Sequence, residues 1–386
     1  MSNAGEVRVA LVRSTYKNVF EQVRKSLELI QYRPRKDRIF IKPNLVGSFS
    51  ADSGFITHPA VVEALVRIFR EYFPRGEIVV GDGCAVHEHW ERVLKKSGYR
   101  YLTERYGVQI VSLDEVERKD YSWAHGTLEL PELLDTHEYI NVAKMKTHCQ
   151  ASVSLCMKNQ KGLLRKKNKQ NFHRKDDLHD SIRFLTQAVK PDLSVIDGIH
   201  SLEGNGPLPP GTKRKGPNLI IASQDIYAAD NVGARVMGFN VSDIPHIPEF
   251  TDYSVVGEDL EANVIPFKKP DPSPWVKNNV YFHFDETACS LCSVSASVAY
   301  GPSLSNLPFI VRLMAIGGMS IRKDVIMGAI PYSSNGGDGH VLCLGDCAAK
   351  LAKKNGFTFV RGCPPKISDL RTGYLDFCKN AKKAPQ

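Results

Sequence analysis

The sequence predicts an α/β protein with a mostly parallel sheet covered by helices, followed by a smaller C-terminal α+β module that contains cysteines. Short apolar segments alternate with segments of helical periodicity between Glu6 and Met237, which is the pattern of strand–helix–strand units. Several of the apolar segments end on lysine, asparagine or aspartate. The composition changes after Pro266, where KKPDPSP predicts a linker.

The apolar segments are short and rich in β-branched residues, so they predict buried strands. In chain order these are Glu6–Val12, Arg38–Ile41, Glu77–Val80, Val108–Leu113, Tyr139–Val142, Leu193–Ile196 and Asn218–Ala222. Parallel strands buried on both faces read as continuous apolar runs, which these segments do.

Four helices follow from apolar residues at helical spacing. They are predicted over Val19–Ile30, from Pro59 onward, over Asp177–Val189 and over Ile226–Met237. Thr57 or His58 is suited to cap the second helix, because Pro59 is favoured in a first helical turn.

At 386 residues the chain exceeds one typical compact unit. We predict an α/β domain over residues 1–266 and a cysteine-rich module over residues 267–386.

Composition excludes some classes of protein. No apolar run approaches the roughly 20 residues that cross a bilayer, so no membrane span is expected. The sequence passes into a strand pattern without a signal peptide, and nine cysteines, an odd number, argue against a disulfide framework. A cytoplasmic location is the expectation. A nucleic-acid partner is not expected, because aromatic residues are not interleaved with the basic run.

The stretch from Glu138 to Lys175 concentrates the basicity of the chain. Eight lysines and arginines and no acidic residue lie between Lys158 and Lys175, against a net charge of +9 for the whole chain. Concentrated charge of this kind favours an anionic ligand. The alternative is a solvated, mobile loop.

Polar residues at the ends of predicted strands form the candidate site, because open α/β sheets bind ligands at the carboxyl ends of their strands. We predict catalytic roles for Lys146, His148, Lys158, Asp197 and Glu203. We predict substrate-binding roles for Lys42, Asn44, Thr57, Lys144, Thr147, Asn159 and Lys161. The alternative is that these residues form loop-closing hydrogen bonds and salt bridges.

Four cysteines predict a metal centre in the C-terminal module. Cys289 and Cys292 form a C-x-x-C pair, while Cys347 and Cys363 lie far downstream in glycine-containing loops. Converging thiolates hold a [4Fe–4S] cluster or a zinc ion. A bacterial ferredoxin run is excluded, because Ser295 and Ala299 stand where it needs cysteine. A [4Fe–4S] cluster is the first prediction, with zinc and free thiols as the alternatives.

With these residues in view, the chain resembles the DUF362 family. The matching segments are Lys42–Asn44, Thr57–Pro59, Lys144–His148, Lys158–Gly162, Asp197–Ile199 and Glu203–Pro207, in the family's order. Many proteins of this family carry cysteine-ligated iron–sulfur modules, and the resemblance implies one here. The incomplete ferredoxin pattern departs from the family and leaves the cluster type open.

Three functions remain at this point. The first is an iron–sulfur oxidoreductase acting on an anionic small molecule held by a crevice of lysine, histidine and asparagine, with an electron-transfer protein as partner. The second is a non-redox lyase or isomerase in which the cluster or zinc is structural. The third is a binding module that senses an anion or the redox state.

Overall fold

The computed structural model describes residues 6–85, 88–166, 168–169, 178–206, 213–270, 275–277, 280–284, 323–327, 340–363 and 365–380. These residues form two compact units. The first contains the described residues up to Pro270, and the second contains those from Trp275 onward. The predicted boundary between residues 266 and 267 stays a prediction about domains, because contacts within one chain do not test whether each part folds alone.

The described part of the chain contains ten α-helices and seventeen strands, numbered here in chain order. The helices are α1 (Val19–Leu29), α2 (Pro59–Tyr72), α3 (Trp90–Ser97), α4 (Tyr101–Tyr106), α5 (Leu133–Thr136), α6 (Cys156–Asn159), α7 (Leu178–Ala188), α8 (Ile226–Val236), α9 (Ala349–Asn355) and α10 (Ile367–Asn380). The strands of the first unit are β1 (Val7–Arg13), β2 (Arg38–Pro43), β3 (Glu77–Asp82), β4 (Gln109–Ser112), β5 (Arg118–Trp123), β6 (Gly126–Pro131), β7 (Glu138–His148), β8 (Ser152–Ser154), β9 (Leu193–Glu203), β10 (Lys213–Lys215), β11 (Leu219–Ser223) and β12 (Tyr253–Gly257). Those of the second unit are β13 (Trp275–Lys277), β14 (Val280–Phe284), β15 (Lys323–Met327), β16 (His340–Leu344) and β17 (Thr358–Val360).

The main sheet has the strand order β12-β1-β11-β9-β7-β2-β3-β4, with β8 beside β7 and β10 beside β9. Of the strands along this path, only β11 runs antiparallel to its neighbours. The carboxyl ends of β1, β9, β7, β2 and β3 therefore lie along one edge of the sheet. The α/β prediction is confirmed by this mostly parallel sheet.

Both faces of the sheet are covered, which explains the continuous apolar strands. In β7, Ile140 and Val142 pack in the cluster formed with α1 and α2, whereas Ala143 and Met145 pack in the cluster formed with α7 and α8. Residues two apart on a strand share one face of the sheet. Lys144 and Lys146 therefore lie on the same face as Ile140 and Val142, toward α2.

Two strands are longer than predicted, and one hairpin was missed. β7 and β9 run to His148 and Glu203, so the polar residues that were expected to follow them belong to the strands themselves. The antiparallel β5–β6 hairpin carries mostly polar, partly exposed residues and gave no apolar signal.

The second unit is built on a five-stranded sheet of order β13-β14-β15-β16-β17, in which β14 to β17 are parallel. Helix α9 packs on its core through Ala352, beside Cys343 and Ile326. In the described residues of both units, the helices are too short or too polar to cross a membrane.

Candidate functional site

The site is built where β7 and β9 pass the edge of the main sheet. Lys144 pairs in register with Asp197, and Lys146 pairs with Leu202, so the register shifts between the two lysines. The irregularity leaves both lysines on the α2 side, beyond the apolar part of the strand. We call Lys144, Lys146 and Lys158 the lysine cluster.

Lys144 is neutralised by a carboxylate. Its Nζ atom donates to Asp197 Oδ2 at 2.8 Å and to the Tyr16 hydroxyl at 2.9 Å, and both members of the ion pair are fully buried. The Tyr16 hydroxyl lies 3.3 and 3.4 Å from the two carboxylate oxygens. Tyr16 follows β1, whose carboxyl end lies at the same edge as β9. Lys144, Asp197 and Tyr16 thus form one hydrogen-bonded group.

His58 packs against this group from the start of α2. Its ring stacks on Tyr16 with 3.8 Å between ring centroids, and its backbone N–H donates to Asp197 Oδ2 at 3.0 Å. Its Nδ1 accepts from Ala60 N at 3.1 Å and caps α2, as the sequence predicted for this position. Burial lowers the pKa of His58, with Asp197 opposing the shift. His200 contacts the Tyr16 ring edge-on at 4.8 Å.

Lys146 is buried, and no carboxylate among the described residues contacts it. Its side chain is 3% exposed, and its Nζ donates to the Phe55 carbonyl at 2.5 Å and to Asn44 Oδ1 at 3.5 Å. Burial, followed by the charges of Lys158 and Lys144, lowers the pKa of Lys146 to about 7. A lysine with this pKa exchanges protons near neutral pH.

Lys158 lies at the end of α6 and keeps partial contact with solvent. Among the described residues no hydrogen bond or ion pair reaches its ammonium group. Burial lowers the pKa of Lys158 to about 8.

Lys42 belongs to a second, closed arrangement at the ends of β2 and β3. It is fully buried, and its Nζ lies 2.7 Å from Asp82 Oδ1. Lys169 caps the same region by donating to the carbonyls of Gly83 at 2.7 Å and Cys84 at 3.0 Å. A Cβ atom at Gly162 would collide with the ion pair, so glycine is required there. Burial lowers the pKa of Lys42 and Asp82 opposes the shift.

Other predicted site residues hold the backbone in place. Thr57 Oγ1 accepts from Asn44 N and donates to the Val142 carbonyl. Asn159 Nδ2 donates to Asn141 Oδ1 at 2.7 Å. Thr147 Oγ1 donates to the Gly204 carbonyl at 2.7 Å.

The remaining three predicted residues are His148, Lys161 and Glu203. His148 Nδ1 accepts from the backbone N–H groups of Gln150 and Ala151. Lys161 is half-buried in a 3-10 turn. Glu203 Oε2 accepts from Lys268 N at 2.8 Å at the far end of β9. The functional roles of all these residues stay predictions.

Two buried polar atoms beside the lysine cluster have no hydrogen-bond partner within the described ranges. Ser154 is 4% exposed and lies opposite Lys146 in the β7–β8 pair. His246 is 0% exposed; its Nδ1 lies 2.8 Å from His179 Nδ1, while its Nε2 has no partner. Burial, His179 and Lys158 lower the pKa of His246 well below the usual range.

Half of the predicted metal set lies within the described residues. Cys347 and Cys363 follow the adjacent parallel strands β16 and β17. The loops that carry these cysteines are hydrogen-bonded to each other through the residue before each cysteine. Asp346 N donates to the Gly362 carbonyl at 3.0 Å, and Gly362 N donates to Asp346 Oδ1 at 2.9 Å.

The other predicted metal ligands, Cys289 and Cys292, lie outside the described residues. Within the described part, no group of three or more histidine, cysteine or acidic residues could hold a metal ion. Cys343 is fully buried in the core of the second unit, and burial raises the pKa of its thiol to about 11.

Sequence reasoning missed several members of the site. Tyr16 sits in an ordinary turn after β1, and Ser154 and His246 lie outside any charged run, so they gave no signal. Asp82 did carry a signal, because Val80–Gly83 repeats the V-x-D-G pattern of Val195–Gly198.

Comparison with known proteins covers most of the main unit. A family model described as "Domain of unknown function (DUF362)" matches residues 39–235, which include the lysine cluster but not Tyr16 or His246. A protein of Synechocystis sp. (strain ATCC 27184 / PCC 6803 / Kazusa), named as thylakoid-associated, is 31% identical over 216 residues. The match covers 54% of this chain and 65% of that protein, which is less than two thirds of its length.

Proposed function

Because the chain belongs to the DUF362 family, whose description names no reaction, we propose from the geometry alone that it is an enzyme acting on an anionic small molecule. The molecule binds at the lysine cluster, and Lys146 moves a proton to or from it.

The main support for this proposal is the environment of Lys146 and its lowered pKa. A buried ammonium that donates to a carbonyl and an amide, with no carboxylate of the described residues in contact, is costly to maintain for stability alone. Its pKa of about 7 makes it both a competent acid and a competent base at neutral pH. Such perturbed groups concentrate at functional sites.

The neighbouring charges fit the same role. When a proton leaves a carbon next to a carbonyl, negative charge develops on oxygen, and fixed cations stabilise it. Lys158 supplies a cation without a protein partner among the described residues. Asp197 accepts hydrogen bonds from Lys144 Nζ and the Tyr16 hydroxyl and so fixes the position of the third lysine of the cluster.

Anion binding is tested by calorimetry with inorganic phosphate at pH 7.5 in two buffers of different ionisation enthalpy. A bound anion favours the charged form of a lysine, so the pKa of Lys146 and Lys158 rises and the protein takes up protons on binding. Affinity is expected to fall as pH rises above about 8. Lys146→Met should abolish most of the proton uptake, whereas Lys95→Met, an exposed lysine of α3, should leave it unchanged.

Proton transfer itself is tested by deuterium exchange into the methyl group of pyruvate in D₂O, followed by proton NMR. Exchange above the buffer rate that is lost in Lys146→Met supports an enzyme. Phosphate binding without exchange of pyruvate or 2-oxoglutarate protons would instead favour the anion-sensing binding module.

A second candidate function, an iron–sulfur oxidoreductase, is favoured by the cysteine loops. The reciprocal bonds between Asp346 and Gly362 bring the loops of Cys347 and Cys363 together, as two ligands of one centre require. With Cys289 and Cys292 these thiolates would hold a [4Fe–4S] cluster, with zinc as the alternative metal. A bound cluster supplies one-electron transfer, and an electron-transfer protein would then be a partner.

Anaerobic purification tests the cofactor. Iron and sulfide in about equal amounts, with a broad visible absorbance, are expected. Cys347→Ser should reduce both, whereas Cys149→Ser, a half-buried cysteine of the main unit, should not. A colourless protein with one zinc would leave the non-redox enzyme as the better account.

A cytoplasmic location is part of the proposal. The relative from Synechocystis is named as thylakoid-associated, so membrane association is the competing outcome. Recovery of the protein in the membrane fraction after cell lysis, released by salt, would overturn the cytoplasmic location.

A further inference from the structure

A cleft lies at the amino ends of the strands, at the opposite edge of the main sheet from Lys146. It measures about 350 Å³, within the range of small-molecule sites, and is bounded by the starts of β2, β3 and β4, by α5 and by His137, the residue before β7. Its sheet wall includes Val79, which packs in the core cluster formed with α7 and α8, whereas Lys144 and Lys146 face α2. The cleft is therefore separate from these two lysines in both edge and face.

His137 forms a buried part of the cleft wall. Its side chain is 1% exposed, and its Nδ1 lies 2.8 Å from Thr136 Oγ1. The Thr136 hydroxyl donates to the Glu132 carbonyl at 3.2 Å, so its oxygen is left to accept from the Nδ1–H group of His137. Burial, followed by the charge of Arg38, lowers the pKa of His137, so the ring is neutral at pH 7 and its Nε2 presents a lone pair.

The lone pair of His137 Nε2 has no hydrogen-bond donor among the described residues. Nε2 is directed toward Glu77, which also lines the cleft, but the 3.7 Å to Glu77 Oε2 is too long for a hydrogen bond. A buried acceptor without a donor costs free energy unless a ligand satisfies it.

The charges that line the cleft are mainly negative. Glu77 is paired with Arg38 at 2.8 Å. Glu117 and Glu132 are exposed, and no hydrogen bond or ion pair from the described part of the chain reaches either carboxylate. Lys36 lowers the pKa of the buried histidine, but its ammonium donates to two backbone carbonyls and does not line the cleft. Three glutamates against one arginine leave the lining with a surplus of two negative charges.

The remaining lining residues are mostly apolar: Val79, Val111, Val116 and Leu133. A bare metal ion does not fit this lining, because no group of three or more histidine, cysteine or acidic residues within the described ranges could hold one. A molecule that carries a positive charge, N–H donors and a hydrocarbon portion would match the carboxylates, the histidine acceptor and the apolar wall together.

We propose that this cleft binds a small organic cation, an alkylammonium or alkylguanidinium molecule. An N–H group of the ligand donates to His137 Nε2, its positive charge faces the carboxylates of Glu117 and Glu132, and its alkyl portion packs on the valines and Leu133. The site is distinct from the lysine cluster, and the inference does not depend on the reaction proposed there.

The test is a saturation-transfer NMR titration of the full chain at pH 7.5 and constant ionic strength with butylammonium, tetramethylammonium and butan-1-ol. Butylammonium offers charge, N–H donors and an alkyl chain, tetramethylammonium offers charge without a donor, and butan-1-ol offers the chain without charge. Butylammonium is expected to bind about tenfold or more tightly than either, as a charged hydrogen bond to a buried acceptor implies. Equal affinities for butylammonium and tetramethylammonium would overturn the inference.

The double variant Glu117→Gln with Glu132→Gln changes two exposed side chains and keeps their size. It should weaken butylammonium binding about fivefold, as the loss of two exposed ion pairs implies, and leave butan-1-ol unchanged. Glu104→Gln, an exposed glutamate of α4, is the matched control and should leave both affinities unchanged. Butylammonium affinity that survives in the double variant would overturn the inference.

His137→Leu should remove the advantage of butylammonium over tetramethylammonium, because the buried acceptor is then gone. If this variant does not fold, the double glutamine variant decides the outcome. Binding of Nα-acetyllysine methylamide about tenfold more tightly than butylammonium would assign the cleft to a lysine side chain of a partner protein and overturn the small ligand.

Discussion

Two lysine arrangements lie along the same edge of one sheet and differ in what surrounds each ammonium group. At the ends of β2 and β3, Lys42 forms an ion pair with Asp82. Gly162 packs so closely on this pair that a Cβ atom there would collide with it. On β7, Lys146 is also buried, but within the part of the chain that the structure describes it donates to a carbonyl and an amide oxygen and to no carboxylate. Burial alone therefore does not separate a functional lysine from a structural one. The two sites differ in whether a carboxylate among the described residues contacts the ammonium group.

The comparison predicts opposite signs for the same substitution. A buried lysine that contacts a carboxylate forms a neutral pair with it. Removing the lysine leaves the carboxylate buried without a compensating charge. A buried lysine without a carboxylate is a charge that the fold maintains at a cost, and its removal relieves that cost. Stability measurements on the two sites can separate these cases without knowledge of the substrate.

The largest effect is expected at the closed site. Lys42→Met leaves the fully buried Asp82 without its cation, and breaking a buried pair in this way costs about 3–5 kcal/mol. Urea unfolding at pH 7 measures the loss in the free energy of unfolding.

The matched control is the double variant Lys42→Met with Asp82→Leu. Removing both charges should recover most of the loss, because the stranded carboxylate is then gone. A single variant as stable as the parent would show that the Lys42–Asp82 pair does not hold this corner of the sheet.

The sequence predicted the position of the lysine cluster but could not distinguish these two sites. Lysines at the end of a buried strand must lie near the sheet edge. Lys42, Lys144 and Lys146 do so, but within β2 and β7 and not after them. Both carboxylates, however, come from the same V-x-D-G pattern. Which lysine each carboxylate meets depends on strand order and on the irregular register after Lys144, and neither can be read from one chain.

Contacts between residues far apart in the sequence could not be predicted from the sequence for the same reason. Tyr16 meets Asp197 across 181 residues, because β1 and β9 both end at the same edge of the sheet. The polar β5–β6 hairpin was missed because exposed strands lack the apolar pattern on which the other strands were recognised.

The second effect has the opposite sign and lies at Lys146. Its folded-state pKa of about 7 lies below the ordinary value of about 10.4 in the unfolded chain. The unfolded state therefore binds more protons between these values, so the penalty is complete below pH 7 and disappears as pH rises to about 10. Lys146→Met is expected to raise the free energy of unfolding at pH 6 by roughly 1–4 kcal/mol.

Urea unfolding of parent and variant at pH 6 and pH 9 checks this prediction. The difference between the two proteins should shrink at the higher pH, while the exposed-site variant Lys95→Met should show neither gain nor pH dependence. A variant that is less stable than the parent at pH 6 would place Lys146 with Lys42 among the structural lysines, and the proposed function would lose its main support.

The smallest effect is expected at Tyr16. The hydrogen-bonded group of Tyr16, Lys144 and Asp197 is balanced in charge, as the Lys42–Asp82 pair is, but Tyr16 itself is only half-buried. Tyr16→Phe keeps the ring stacked on His58 and removes the hydroxyl that contacts Lys144 and Asp197, at a cost of about 1 kcal/mol in the free energy of unfolding. Tyr101→Phe is the matched control, since its hydroxyl donates to Glu63 at 2.8 Å on the outside of α2. Both variants should lose similar stability in urea, but only Tyr16→Phe should slow deuterium exchange into pyruvate, because Tyr16 shares the Asp197 carboxylate with Lys144. Equal stability losses with unchanged exchange in both would assign Tyr16 and Asp197 to the structural side, together with Lys42 and Asp82.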